Sequence, residues 1–165
     1  MKRKLKSSRG LSLVETLCAV LILILLGLMV NTGLNMALNS YREITAQAEA
    51  ELLLSTLADA LADDLRYARD VKVETVDGKE VVSYNSDSYN GENGHASFRV
   101  DEKTGQLLAN DLRVLPEGVY GNGAYRVSDF KLTYADGVFQ LVLEIQQAEG
   151  DISAGTELSV RCLNP

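Results

Sequence analysis

From Leu11 to Val30 the chain reads LSLVETLCAVLILILLGLMV, twenty residues with one ionisable side chain, Glu15. That is about the length a helix needs to cross a bilayer core, so the segment reads as a membrane span. Lys2, Arg3, Lys4, Lys6 and Arg9 precede it, and the next basic residue downstream is Arg42. The positive-inside bias then places the N-terminus in the cytoplasm and the rest of the chain outside. The whole chain holds 16 basic and 23 acidic residues, and without the five leading cations the balance is 11 against 23. An acidic body is a poor ligand for phosphate backbones, so direct nucleic-acid binding is not expected. Two cysteines, Cys18 and Cys162, cannot build a disulfide framework, and with no Trp and one His the catalytic and metal-ligand inventories are thin. Neither a cofactor nor an enzyme is expected, since no nucleophile, base and orienting group stand together in the pattern.

A basic start and an apolar run also describe a secretory signal, so the position of the cut matters. Candidates after the run, near Asn35, Ala37 and Asn39, lack a small-x-small pair. A lipoprotein cut fits worse, since Cys18 lies inside the run and follows Thr16 and Leu17, which are not the small residues such a site uses. The better junction is before the run, between Gly10 and Leu11.

Here the residues carry a family likeness. Arg9-Gly10-Leu11-Ser12-Leu13-Val14-Glu15-Thr16-Leu17, behind a short basic leader and ahead of an apolar helix, resembles the N-terminal signature of type IV prepilins and of the pseudopilins of type II secretion and competence systems. The resemblance implies cleavage after Gly10 by a prepilin peptidase, methylation of the new Leu11 amine, and assembly with other pilin or pseudopilin subunits into a helical filament. It makes Glu15 the fifth residue of the mature chain, the position that motif requires. Two positions depart from it: Leu11 stands where most relatives carry Phe, and no proline kinks the helix near Thr32. Straightness near Gly27 and Gly33 is left open. The likeness covers only the first 25 to 30 residues.

The chemistry of Glu15 can be argued without the family. A carboxylate on a membrane helix costs about 2–3 kcal/mol at the bilayer centre, less near the interface, and such residues tend to mark pairing sites. One turn away stand Ser12, Cys18 and Ala19, which carry no charge. An amine at Leu11 of a neighbouring subunit, displaced slightly along the filament, would supply a counter-charge at the same depth. Such a pair sets axial register, because a slip separates opposite charges in a low-dielectric bundle. The bland alternative is that Glu15, five residues from Gly10, snorkels to the headgroups of an inert anchor.

Beyond Val30 the apolar pattern changes. Leu34, Leu38, Tyr41, Ile44, Ala48, Leu52, Leu57, Leu61, Leu65 and Ala68 recur at three-to-four spacing, which predicts one amphipathic helix continuing to about Asp70. Arg66 and Arg69 then fall in its last turn, where cations favour the dipole. At about 1.5 Å per residue such a helix, begun at Leu11, is a rod of about 90 Å. After it the punctuation is that of antiparallel strands: 71–76 with 80–84 around Asp77-Gly78, 97–100 with 106–109 around Gly105, 130–134 with 138–145 around Asp136-Gly137, and a last strand at 156–163. The expected organisation is a leader at 1–10, an assembly helix at 11–30, an amphipathic helix at 31–70 and a head at 71–165. The fold class is α+β, with the second half of a long helix laid on an antiparallel sheet, which resembles a pilin.

Several other groups invite a site. The loop from Asn85 to Gly94 is rich in oxygen ligands for calcium, but its spacing does not match an EF-hand, and a strand-joining surface loop explains the composition. His95 stands alone at a loop-to-strand boundary and is expected to be solvated or capped. Asp59, Asp63 and Asp64 form either a wet helix face or a docking surface. Cys18 is read as a small apolar packer and Cys162 as a buried thiol in the last strand. Two function classes follow. The first is a filament subunit, minor rather than major because its head is small and lacks a disulfide loop. The second is a stand-alone, single-span protein whose outer domain binds a ligand or senses the envelope.

Overall fold

The computed structural model describes residues 13–76, 79–89 and 94–163. The leader, the Gly10-Leu11 junction, the Asp77-Gly78 turn and the middle of the 85–94 loop lie outside the described residues. The chain divides into two compact units, Met1–Arg42 and Glu43–Pro165, and helix α1, Leu13–Arg66, has residues in both.

In the first unit α1 is helical without interruption through Gly27 and Gly33. A Cβ at either glycine would meet nothing within 4 Å, so neither marks a close packing point within one chain. Thr32 returns its hydroxyl to the Leu28 carbonyl at 2.8 Å, which satisfies the side chain without breaking the ladder.

The second unit is the expected α+β body, with its strands divided between two sheets instead of one. The first is five-stranded, in the order β1-β2-β3-β4-β5: Arg69–Val76, Lys79–Asn85, Ala96–Val100, Leu107–Ala109 and Leu112–Arg113. The second is three-stranded, in the order β6-β7-β8: Tyr125–Ala135, Val138–Gln147 and Ser153–Arg161. Every pairing is antiparallel. A 3-10 segment, Glu117–Gly123, joins the two sheets in sequence. Its Tyr120 is fully buried, and the phenolic oxygen accepts the Leu107 N–H at 3.1 Å.

Local chemistry explains most of the turns. Asp136 and Gly137 both have positive φ, 52° and 79°, as a two-residue type I′ hairpin demands. Gly105 is required twice over: its φ is +66°, and a Cβ there would lie 2.5 Å from Arg126 Cβ. Its carbonyl accepts the Val127 N–H at 2.8 Å, which ties the β3–β4 turn to β6.

The helix ends four residues before the expected Asp70. Tyr67 and Ala68 donate to the carbonyls three residues back, tightening the last turn, and Asp70 has φ 49°. Arg69 therefore opens β1 and is not part of the last helical turn, while Arg66 is. The Arg66 carbonyl accepts the Leu163 N–H at 3.0 Å, and the Ala68 carbonyl accepts the Cys162 thiol at 3.0 Å. The end of the chain thus satisfies the end of the helix.

Packing bears out Leu57, Leu61, Leu65 and Ala68 of the helical stripe and corrects Ala48 and Leu52. Ala50, Leu53, Leu54, Leu57, Ala58, Leu61, Leu65 and Ala68 are buried, whereas Ala48 is exposed and Leu52 is 68% exposed. Apart from Ala58, the buried set joins Tyr84, Leu107, Phe139, Leu141, Leu143 and Ile145 in one hydrophobic core. Tyr84 lies 5.8 Å from Phe139 and Phe98 lies 6.2 Å from Phe130, ring to ring, so aromatic contacts bridge the two sheets.

Candidate functional site

Within the first unit, every described side chain is exposed. From Leu13 to Val30 this surface is apolar on all sides, the mark of a helix meant for lipid or for other helices. This is a helix long and apolar enough to cross a membrane. Glu15 sits in its first described turn, next to Thr16, whose hydroxyl returns to the Leu13 carbonyl at 2.9 Å. Cys18 is exposed on the same segment. Gly10 and Leu11 lie outside the described residues, so the structure assigns them no geometry.

The apolar surface does not stop where a bilayer would. Leu34, Leu38 and Tyr41, spaced by four and three, are 58%, 46% and 70% exposed, and Ile44 is 69% exposed. Leu34, Leu38 and Tyr41 share one face of the helix. Just past the span, Asn35 donates to the Asn31 side-chain oxygen at 3.4 Å.

In the second unit the helix is fastened to the strands by polar groups that local patterns do not announce. Asp64 accepts the Tyr84 hydroxyl at 2.6 Å through Oδ2 and the Ser86 hydroxyl at 2.6 Å through Oδ1. Ser86 Oγ in turn accepts the backbone N–H groups of Ser88 and Tyr89, at 3.0 and 2.9 Å. Asp64 is therefore a structural anchor and not part of a wet acidic face. Asp63 pairs with Arg66 at 3.4 Å and Asp59 is exposed, so the expected three-carboxylate patch is divided. Further along, the Tyr125 hydroxyl contacts both the Ala46 carbonyl, 3.1 Å, and Glu49 Oε2, 2.9 Å.

Burial and the adjacent carboxylate both hold these phenols in the neutral form. Tyr84 is pushed far above its ordinary value, first by burial and then by the hydrogen bond to Asp64. Tyr125 is pushed up to about 12, by burial and then by Glu49. Above the ordinary tyrosine value of 10.0 the unfolded chain releases protons that the folded chain keeps. Stability should therefore be complete below pH 10 and fall as the pH rises toward about 12. Denaturant midpoints measured across this range should show that decline, and Tyr125→Phe should make it shallower.

Asn110 is a second unannounced fastener. With φ 55°, it accepts the Ser97 N–H and hydroxyl through Oδ1, at 3.0 and 3.2 Å, and donates through Nδ2 to the Tyr89 and His95 carbonyls, at 3.1 and 3.2 Å. It thereby holds both flanks of the segment around 90–93. Asn110→Ala is expected to cost about 2–3 kcal/mol, from lost side-chain bonds and a left-handed backbone without an Asn, and thermal unfolding would measure it.

His95 is partly buried, and its Nε2 is 3.1 Å from Lys72 Nζ and 3.7 Å from Asp70 Oδ2. It is thus engaged with β1 and not simply solvated. Cys162 is buried, just past the end of β8 and not within the strand. At the 85–94 loop, Arg69 holds Asp87 with two contacts, 3.0 and 3.2 Å. Among the described residues, no three His, Cys, Asp or Glu side chains are grouped to hold a metal ion.

No family model, curated protein or solved structure matches the chain.

Proposed function

We propose that the chain is a structural subunit, pilin-like or pseudopilin-like, of a helical filament of the kind used in type II secretion, DNA uptake or pilus function. It enters the membrane once, with its N-terminus cytoplasmic and its head outside, and is processed by a prepilin peptidase between Gly10 and Leu11. After that cut, Glu15 of one subunit meets the methylated Leu11 amine of another. The role is one of assembly and not of catalysis, and the subunit is a minor component.

One observation carries this reading over a simple tether. An anchor needs apolar surface only across the bilayer, whereas the exposed stripe continues through Leu34, Leu38 and Tyr41. Apolar surface beyond lipid asks for protein cover, and sister helices would provide it. The test is site-specific photo-crosslinking from position 38 in cells. Chain-to-chain or chain-to-subunit adducts are expected, and Leu38→Asp should abolish them while the chain remains membrane-bound. A crosslinker at 38 that captures lipid or nothing would count against assembly.

A further inference from the structure

Strand β8 ends the three-stranded sheet and pairs with β7 on one side only among the described residues. Its ladder with β7 runs in unbroken register from Val138 opposite Arg161 to Gln146 opposite Ser153. The Ile152 carbonyl accepts from Gln147 and the Cys162 N–H donates to Gly137, so the even-numbered residues of this strand face β7. The Leu163 N–H instead points outward, to the Arg66 carbonyl. By alternation, Ser153, Gly155, Glu157, Ser159 and Arg161 aim their N–H and C=O groups away from β7. Among the described residues no strand pairs with that side.

Other edges are guarded. β1 has a register break between Arg69 and Lys72 and carries charge along its length, and β5 is two residues long. β6 has a break between Val127 and Asp129, and it faces β2 and β3 across a groove of about 830 Å³ lined by Val82, Phe98, Phe130 and Leu132. β8 has nine residues, no proline and no register break. It lacks the proline, the bulge and the short length that usually blunt an edge, and carries charge only at Glu157 and Arg161.

Two further features point to an occupant. Gly155 is an exposed strand residue where a Cβ would make only ordinary contacts, 3.7 Å and beyond, so the chain's own fold does not require glycine there. Glycine inside a strand commonly marks the close approach of another backbone. Glu157 and Arg161 are the charged residues of the strand, both exposed and on one face. They define a charge order that an incoming strand must complement.

We propose that β8 is a docking edge for an extended peptide segment of another protein. The segment adds antiparallel to β8, with an acid opposite Arg161 and, four residues later, a base opposite Glu157. A second copy of β8 fits less well. Matching its charges centres the pair on Ser159 and brings the partner strand's glycine opposite Leu163, whose N–H is already bonded to Arg66. Centring on Glu157 opposes two carboxylates. This inference does not depend on the filament reading.

The test titrates full-length protein in nanodiscs against a labelled nonapeptide of alternating Thr and Val, with Asp first and Lys fifth. A twin peptide has those two charges exchanged. The matched peptide should bind about tenfold tighter than the twin, from two cross-strand ion pairs. It should also slow amide exchange at Gly155, Glu157, Ser159 and Arg161. The double variant E157K/R161E should reverse the preference, and Ser159→Pro, which removes an outward N–H only, should abolish binding. Equal affinities, unprotected amides, or an unchanged preference in E157K/R161E would overturn the proposal. So would concentration-dependent self-association that Ser159→Pro removes.

Discussion

Glu15→Ala is expected to lower incorporation into filaments by roughly two to four orders of magnitude, with the chain still inserted and its leader still removed. The size follows from the proposed pairing. Removing one partner of an ion pair in a low-dielectric helix bundle costs about 3–5 kcal/mol, because the other charge remains buried. In the proposed fibre that other charge would be the Leu11 amine. Glu15→Gln should behave nearly as badly, since it keeps the shape and hydrogen bonding but not the charge. Glu15→Asp should fall between, retaining charge on a shorter reach. Quantifying sheared fibres against membrane-bound subunit separates the outcomes, and parental incorporation by the alanine variant would reduce Glu15 to an interfacial carboxylate on a tether.

The second large effect is expected in the head. Asp64→Ala leaves two hydroxyl donors without their acceptor: Tyr84, which is fully buried, and Ser86, which is 1% exposed. Leaving the buried Tyr84 hydroxyl without its acceptor costs about 1–3 kcal/mol and losing the Ser86 bond about 1 kcal/mol more, so a loss of about 3–4 kcal/mol is expected. Thermal unfolding of the solubilised full chain should fall by about 10 °C or more. Tyr84→Phe should cost less, about 1–2 kcal/mol, because it removes donor and demand together. In the double variant the two losses should not add, and a strictly additive result would show that the contact at 2.6 Å contributes little. Asp59→Ala, on an exposed position of the same helix, serves as the control and should change stability by less than about 0.5 kcal/mol.

These contrasts explain what the sequence disclosed and what it withheld. The Asp136-Gly137 hairpin was legible because both of its signals, the turn pair and the alternation of Phe130, Leu132 and Tyr134, lie within a few residues. The extension of β6 back to Tyr125 was hidden by the register break between Val127 and Asp129, which spoils period-two alternation. The helix was legible in type and length, and its inward face was legible from Leu57 onward but not before it. Leu52, Leu53 and Leu54 offer three successive phases, and only the strands decide that Leu53 and Leu54 are buried. Asp64 read as part of an acidic face because its partners lie 20 and 22 residues downstream, beyond any local window. Asn110 was silent for the same reason, since its partners are 13 to 21 residues away.

The apolar helix surface was the most readable feature and carries the functional reading. Its extent could be counted from Leu11 to Val30, but its continuation on one exposed face through Tyr41 required the structure. In the sequence that stripe merged with the one that packs under the sheets. In three dimensions the two separate: Leu34, Leu38 and Tyr41 stay exposed, while Leu57, Leu61 and Leu65 are buried.

The most direct test of the central claim is the intact mass and N-terminal sequence of the mature protein purified from its native membrane. The account predicts a chain that begins at Leu11 and carries one added methyl group on its amine. A chain that retains Met1, or that begins beyond Val30, would contradict it.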